Sequence, residues 1–130
     1  MKRLCLDTSA YTHFKAGEAR SAKIISEAKS IGIPAIVLGE LRAGFRLGQR
    51  YEKNEAELRD FLASPVVQCL DVDDDASSCY AEIFAELRRK ATPIPTNDMW
   101  IAAVAMREGA TILTFDAHFD QIQNIAKLRL

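Results

Sequence analysis

The sequence predicts an α/β domain with a central parallel sheet and helices on both faces. Three observations carry this expectation. Short apolar runs without alternation recur at residues 4–6, 33–37, 66–72 and 111–115, as in strands buried on both sides. Segments with helical periodicity separate them. The alternation continues from end to end without repeats or linkers, so the 130 residues read as one domain, 1–130.

In chain order, Leu4-Cys5-Leu6 is the first strand and stops at Asp7. Residues 11–17 read as a polar-flanked connection. A helix is expected over 18–30, with Ile24, Ile25, Ala28 and Ile31 as its stripe and Gly32 as its stop. Pro34 cannot donate to a ladder, which places it at the start of the second strand or on a sheet edge. Helices follow over 38–48, with Leu41 and Phe45 inward and Glu40 in the first turn, and over 51–63, with Leu58, Phe61 and Leu62 inward. After the strand at 66–72, Asp73-Asp74-Asp75 invites a metal reading. A cap and first turn that complement the helix dipole explain these acids better. The next helix carries the stripe Ala76, Cys79, Tyr80, Ile83, Phe84 and Leu87, and Arg88, Arg89 and Lys90 close its negative end. Two prolines make 92–96 a loop. Residues 97–108 are apolar almost all round and should form a central buried helix that ends at Gly109. A strand over 111–115 leads to Asp116, a turn covers 119–122, and the tail at 126–130 offers a last strand.

The composition is that of an ordinary globular chain, 48% hydrophobic and 27% charged. A net charge of −1 provides no global basic field, so any polyanion partner must use a local patch or metal ions. Cys5, Cys69 and Cys79 are odd in number and lack C-x-x-C spacing, as expected of reduced, buried thiols rather than a zinc site. With no apolar leader and no membrane-length run, a cytoplasmic location is expected.

Four acids stand out by position. Asp7 and Asp116 each follow a buried strand, Glu40 opens the helix after one, and Asp98 opens the most apolar helix. Any one of them can be read as a helix cap. In a parallel sheet, however, all four fall on one edge, where ligands bind. Carboxylates gathered without cations repel one another, and their natural partner is a hard divalent ion, Mg²⁺ or Mn²⁺. No Cys or His accompanies the set in this reading, which argues against zinc. A carboxylate-only site of this kind points to phosphoryl transfer by metal-activated water. Thr8 and Ser9 either cap the next helix or support the site.

The chain resembles PIN-domain ribonucleases, most closely the VapC-like toxins of toxin–antitoxin pairs. The marks are Leu6-Asp7-Thr8-Ser9, Val37-Leu38-Gly39-Glu40-Leu41-Arg42-Ala43-Gly44, Asn97-Asp98-Met99-Trp100-Ile101-Ala102-Ala103 and Thr114-Phe115-Asp116-Ala117-His118-Phe119, in that order along the whole chain. The resemblance implies that Asp7, Glu40, Asp98 and Asp116 form an acidic quartet holding one or two Mg²⁺ or Mn²⁺ ions. Thr8 or Ser9 would orient a ligand or water. It also implies an RNA substrate, a homodimer and a cognate antitoxin protein. Asp120 competes with Asp116 for the fourth role, and Asp116 is preferred because it directly follows the strand.

Other features have plainer readings. Arg42, Arg46 and Arg50 recur every fourth residue and could meet RNA phosphates or an acidic antitoxin segment, but a solvated face pairing with nearby Glu residues is favoured. Arg88, Arg89 and Lys90 could flank the site, although dipole capping accounts for them. His13 and His118 are not assigned to proton transfer, because a metal-activated water needs no histidine base. Trp100 could stack a base, and a core role is favoured. Two alternatives stay open: a PIN-like scaffold without catalysis, and a receiver-type phosphoacceptor, which would need a paired acid after strand one and a strand-end Lys.

Overall fold

The computed structural model describes residues 3–130. Strand β1 (Arg3–Leu6) is followed by helices α1 (Thr8–Lys15) and α2 (Ala19–Glu27) and by strand β2 (Ser30–Pro34). Helices α3 (Ala35–Leu47) and α4 (Tyr51–Leu62) lead to β3 (Val67–Leu70). Helices α5 (Asp74–Arg89) and α6 (Thr96–Glu108) lead to β4 (Thr111–Thr114), a 3-10 turn (Ala117–Gln121) and β5 (Lys127–Arg129). All four strand pairings are parallel, in the order β3-β2-β1-β4-β5.

Helices cover both faces of the sheet. One face buries Cys5 and Ile112 with Val37 and Leu41 of α3, Leu58 of α4, Ile83 and Leu87 of α5, and the apolar length of α6. The other buries Leu4, Leu6 and Leu113 under Ala10 of α1 and Ile25 of α2. Ala102, Ala103, Val104 and Ala105 are fully buried, so α6 is the central helix its composition predicts. Asp73 caps α5 by accepting from the Ala76 N–H at 2.9 Å, which is the capping role read from the acidic run. Lys90 reaches the Gln121 carbonyl at 2.6 Å, while Arg88 lies over the Phe84 ring.

Several boundaries differ from expectation. The segment after Asp7 is a helix, α1, begun by a side-chain cap. Helix α2 ends at Glu27, and Gly32 lies inside β2 rather than stopping a helix. The reason for glycine there is packing, since an added Cβ would sit only 2.9 Å from Leu70 Cγ. We expect Gly32→Ala to lower the melting temperature by about 4 °C, equivalent to about 1 kcal/mol. Adding Leu70→Val should cost less than the sum of the two single changes, and strict additivity in thermal melts would show that the two side chains do not collide.

Pro34 ends an interior strand instead of starting one or lying on an edge. Its fixed φ, here −60°, sets up the entry to α3. Ile36 and Val37 are therefore helical, and Glu40 lies in the second turn of α3, not the first. Helix α3 stops at Leu47, so Arg50 is not on the same helix as Arg42 and Arg46. Arg42 instead makes a two-pronged pair with the buried Glu55 of α4, at 3.0 Å from each nitrogen, and Arg46 lies 4.0 Å from the Tyr51 ring centre. The helix following β3 packs on one side only, which leaves Phe84 43% exposed rather than inward. Cys5 is buried, but Cys69 is exposed because β3 is an edge strand, and Cys79 is half-buried. All three cysteines are free. Trp100 stacks on Tyr80 at 4.1 Å and packs against the core. Among the described residues, no helix is long and apolar enough to cross a membrane.

Candidate active site

The strand order reverses at β1. From there the chain builds outward through β2 to β3 on one side and through β4 to β5 on the other. Such a switch point opens a crevice at the carboxyl ends of its two strands. Leu6 pairs with Leu113, so Asp7 and Thr114 come level at the mouth of that crevice.

Asp7 is 4% exposed and is held from three sides. It caps α1, its Oδ1 accepting from the Ala10 N–H at 2.8 Å. The Ser9 hydroxyl donates to the same carboxylate at 2.8 Å, and the Thr114 hydroxyl donates to Oδ2 at 2.5 Å. Thr114 Oγ1 accepts in turn from the Asp116 N–H at 2.9 Å, and Ser9 Oγ from the Phe115 N–H at 2.9 Å. Asp7 is thus both a helix cap and the anchor of a hydroxyl network tying β1 to the segment after β4. Burial pushes its carboxyl above the ordinary range. The hydrogen bonds from Thr114, Ala10 and Ser9 pull it back, and the charge of Asp98 raises it further.

Asp98 lies in the first turn of α6, whose N-cap position is occupied by Pro95 with no side-chain cap bond. Its Oδ2 lies 2.9 Å from Nδ1 of His118, and Asp116 Oδ1 lies 3.1 Å from the same nitrogen. Burial raises the Asp98 pKa. His118 lowers it, and the charges of Asp116 and Glu40 raise it. Glu40 accepts from the Thr8 hydroxyl at 2.5 Å and from the Asn97 side-chain amide at 3.3 Å. Thr8 follows Asp7 and Asn97 precedes Asp98, so Glu40 is tied to the elements that carry both.

The structure therefore gathers the sequence-predicted acids along one crevice, with unequal closeness. Asp98, Asp116 and His118 each present one donor atom within 4.8 Å of the others, whereas Asp7 and Glu40 are outside that group and held by their own hydrogen bonds. Asp120 is turned aside into an ion pair with Arg129 at 2.8 Å. His13 also lies apart, its Nδ1 at 2.8 Å from the Ser9 carbonyl and its ring stacked on Phe115 at 3.9 Å. Among the described residues, no lysine or arginine forms an ion pair with Asp7, Glu40, Asp98 or Asp116.

His118, Thr114 and Asn97 have site positions that reading the acids alone does not supply. The expectation that no histidine accompanies the acids is corrected here. His118 follows Asp116 by two residues, and the 3-10 turn brings its ring back over the start of α6. A set of carboxylates with one imidazole, unneutralised by arginine or lysine among the described residues, fits a divalent cation.

The profile of the PIN domain family matches residues 4–125. The chain belongs to the PIN domain family. Ribonuclease VapC2 of Rickettsia felis is 32% identical over 107 residues, covering 79% of this chain and 76% of that protein. Ribonuclease VapC4 of Mycobacterium tuberculosis is 30% identical over 94 residues, covering 72% of each chain. Among solved structures, the DNA-bound VapBC of Salmonella typhimurium superposes with a TM-score of 0.84 at 28% identity, over 99% of this chain and 98% of that one. The receiver alternative gains nothing from this PIN domain, because its acceptor would follow β3, which lies on the sheet edge away from the switch point.

Proposed function

We propose that the protein is a metal-dependent endoribonuclease, the toxin of a toxin–antitoxin pair, that hydrolyses RNA phosphodiester bonds. The observation that carries this reading is the acid crevice at the switch point, where four carboxylates stand without lysine or arginine partners among the described residues. The ribonuclease names of the relatives support the substrate class, and a solved structure from the VapBC family of toxin-antitoxin systems of Mycobacterium tuberculosis, 26% identical with a TM-score of 0.78, supports the pairing with an antitoxin. Asp98 and Asp116 would hold Mg²⁺ or Mn²⁺, with Asp7 and Glu40 completing the acidic set. When bound, the ion would polarise the phosphate and lower the pKa of the attacking water.

The chain's own residues supply the rest. Ser9 and Thr114 fix the Asp7 carboxylate, so its charge is aimed at the crevice without a mobile side chain. Thr8 and Asn97 do the same for Glu40. The backbone N–H of Asp116 is held by Thr114, which orients the segment that presents its carboxylate. In this reading the protein is cytoplasmic and works as a homodimer silenced by its cognate antitoxin.

Labelled structured RNA incubated with the protein and either ion should be cut, and excess EDTA should stop the cutting. Cleavage that survives thorough chelation would overturn the metal-hydrolase mechanism. Expression of the wild-type chain alone should arrest growth, and Asp98→Asn should relieve the arrest at equal protein level.

A further inference from the structure

We propose that His118 is a nitrogen ligand of the metal centre and gives the site a preference for Mn²⁺ over Mg²⁺. The inference rests on the metal-dependent reading above and concerns which donors hold the ion. The 3-10 turn after β4 is capped by Asp116, whose Oδ1 accepts the His118 N–H at 2.9 Å. That bond curls the chain so that the imidazole faces α6. One ring atom, Nδ1, then lies between carboxylates from two different elements, 2.9 Å from Asp98 and 3.1 Å from Asp116.

A single Nδ1–H can serve one acceptor well, so two carboxylates converging on it are over-provided for a hydrogen bond. They suit a cation better. Adjacent ligands of an octahedral ion with bonds of about 2.1 Å lie about 3.0 Å apart, close to both separations seen here. With Nδ1 turned to an ion, Nε2 keeps its proton on a side chain that is 47% exposed, where water can pair with it. Imidazole nitrogen favours first-row transition ions, whereas Mg²⁺ takes oxygen ligands and gives up its waters reluctantly. A carboxylate-only crevice would bind the two ions through oxygen alone; the imidazole separates them.

The test uses the full chain, its His118→Ala and Asp98→Asn variants, and MnCl₂ or MgCl₂ alone as probes. Calorimetry on wild type and His118→Ala should show Mn²⁺ binding weakened about tenfold and Mg²⁺ binding changed less than twofold. Pulsed EPR of the Mn²⁺-loaded wild type should show imidazole nitrogen coupling that disappears in His118→Ala. His118 is exposed, so the variant should keep its fold, which a metal-free melt verifies. Equal loss of both ions, or Mn²⁺ binding that Asp98→Asn abolishes but that shows no nitrogen coupling, would overturn the role of His118 and leave the carboxylate site standing. A wild type that binds neither ion would overturn the metal-dependent reading along with it.

Discussion

Asp98→Asn should remove RNA hydrolysis while raising the melting temperature of the metal-free protein. The loss of activity should exceed the tenfold to hundredfold that changes to the partners of metal ligands typically cost, because in the proposed mechanism Asp98 is a direct ligand. The gain in stability follows from electrostatics. Asp98 and Asp116 offer oxygens within 4.8 Å of one another, and two like charges about 5 Å apart repel at about 3 kcal/mol for an effective dielectric of 20. Solvent and the His118 contact reduce this, so about 1 kcal/mol of relief, or about 4 °C, is expected at pH 7. An asparagine there keeps an acceptor for His118, and Asp98 makes no side-chain cap bond whose loss would offset the gain.

The pH dependence has a definite sign. Burial raises the folded pKa of Asp98 above its unfolded value, so the fold holds this proton longer than the unfolded chain. The contribution to stability is therefore greatest below the unfolded value, declines as pH rises towards the folded one, and stays low above it. The advantage of the variant should be full at pH 7 and shrink as the pH falls through the carboxylate range. Melts in EDTA at several pH values measure it. A variant that melts below wild type at pH 7 would make Asp98 a structural residue.

Asp7→Ala should lose activity and also unfold at lower temperature, the opposite thermal result from a residue of the same type in the same crevice. Asp7 caps α1, and removing a cap of this kind costs about 1 kcal/mol. The change also leaves the fully buried Thr114 hydroxyl without its acceptor, for about another 1 kcal/mol after the relief of burying a charge. Together these correspond to a fall of about 8 °C. Asp7→Asn keeps the shape and an acceptor for Ala10, so it should melt close to wild type yet remain inactive. If Asp7→Ala melts as high as wild type, the hydroxyl network does not hold the sheet edge together.

The sequence disclosed the crevice better than the details of the elements around it. Asp7 and Asp116 were readable because a parallel sheet sends every strand end to one edge, so an acid directly after an apolar run locates itself. The end of β2 is hidden in the sequence for a related reason. Ala35-Ile36-Val37 opens a helix buried against the sheet, and a helix that is apolar on its first turn cannot be told from a buried strand by composition. Helix α1 was missed because its polar surface leaves only Ala10 and Tyr11 buried, too few for a visible stripe. From the sequence, His118 is considered only for proton transfer and set aside, and Thr114 is not singled out, because the importance of both lies in tertiary contacts. A threonine at a strand end looks like any β-former, and only the level pairing of β1 with β4 turns its hydroxyl onto Asp7.

That Thr114–Asp7 bond joins residues 107 positions apart, and this sets the order of events during synthesis. Contacts so distant in sequence close late, after the intervening segments have formed. A ribosome adding about 5–20 residues per second separates the two partners by roughly 5–20 s. Until Thr114 and Asp116 leave the ribosome, the nascent chain carries Asp7 and Glu40 without the strand that completes the crevice. A chain cut short before β4 consequently lacks both Thr114 and Asp116, and Asp7 is left without the partner that fixes its second oxygen.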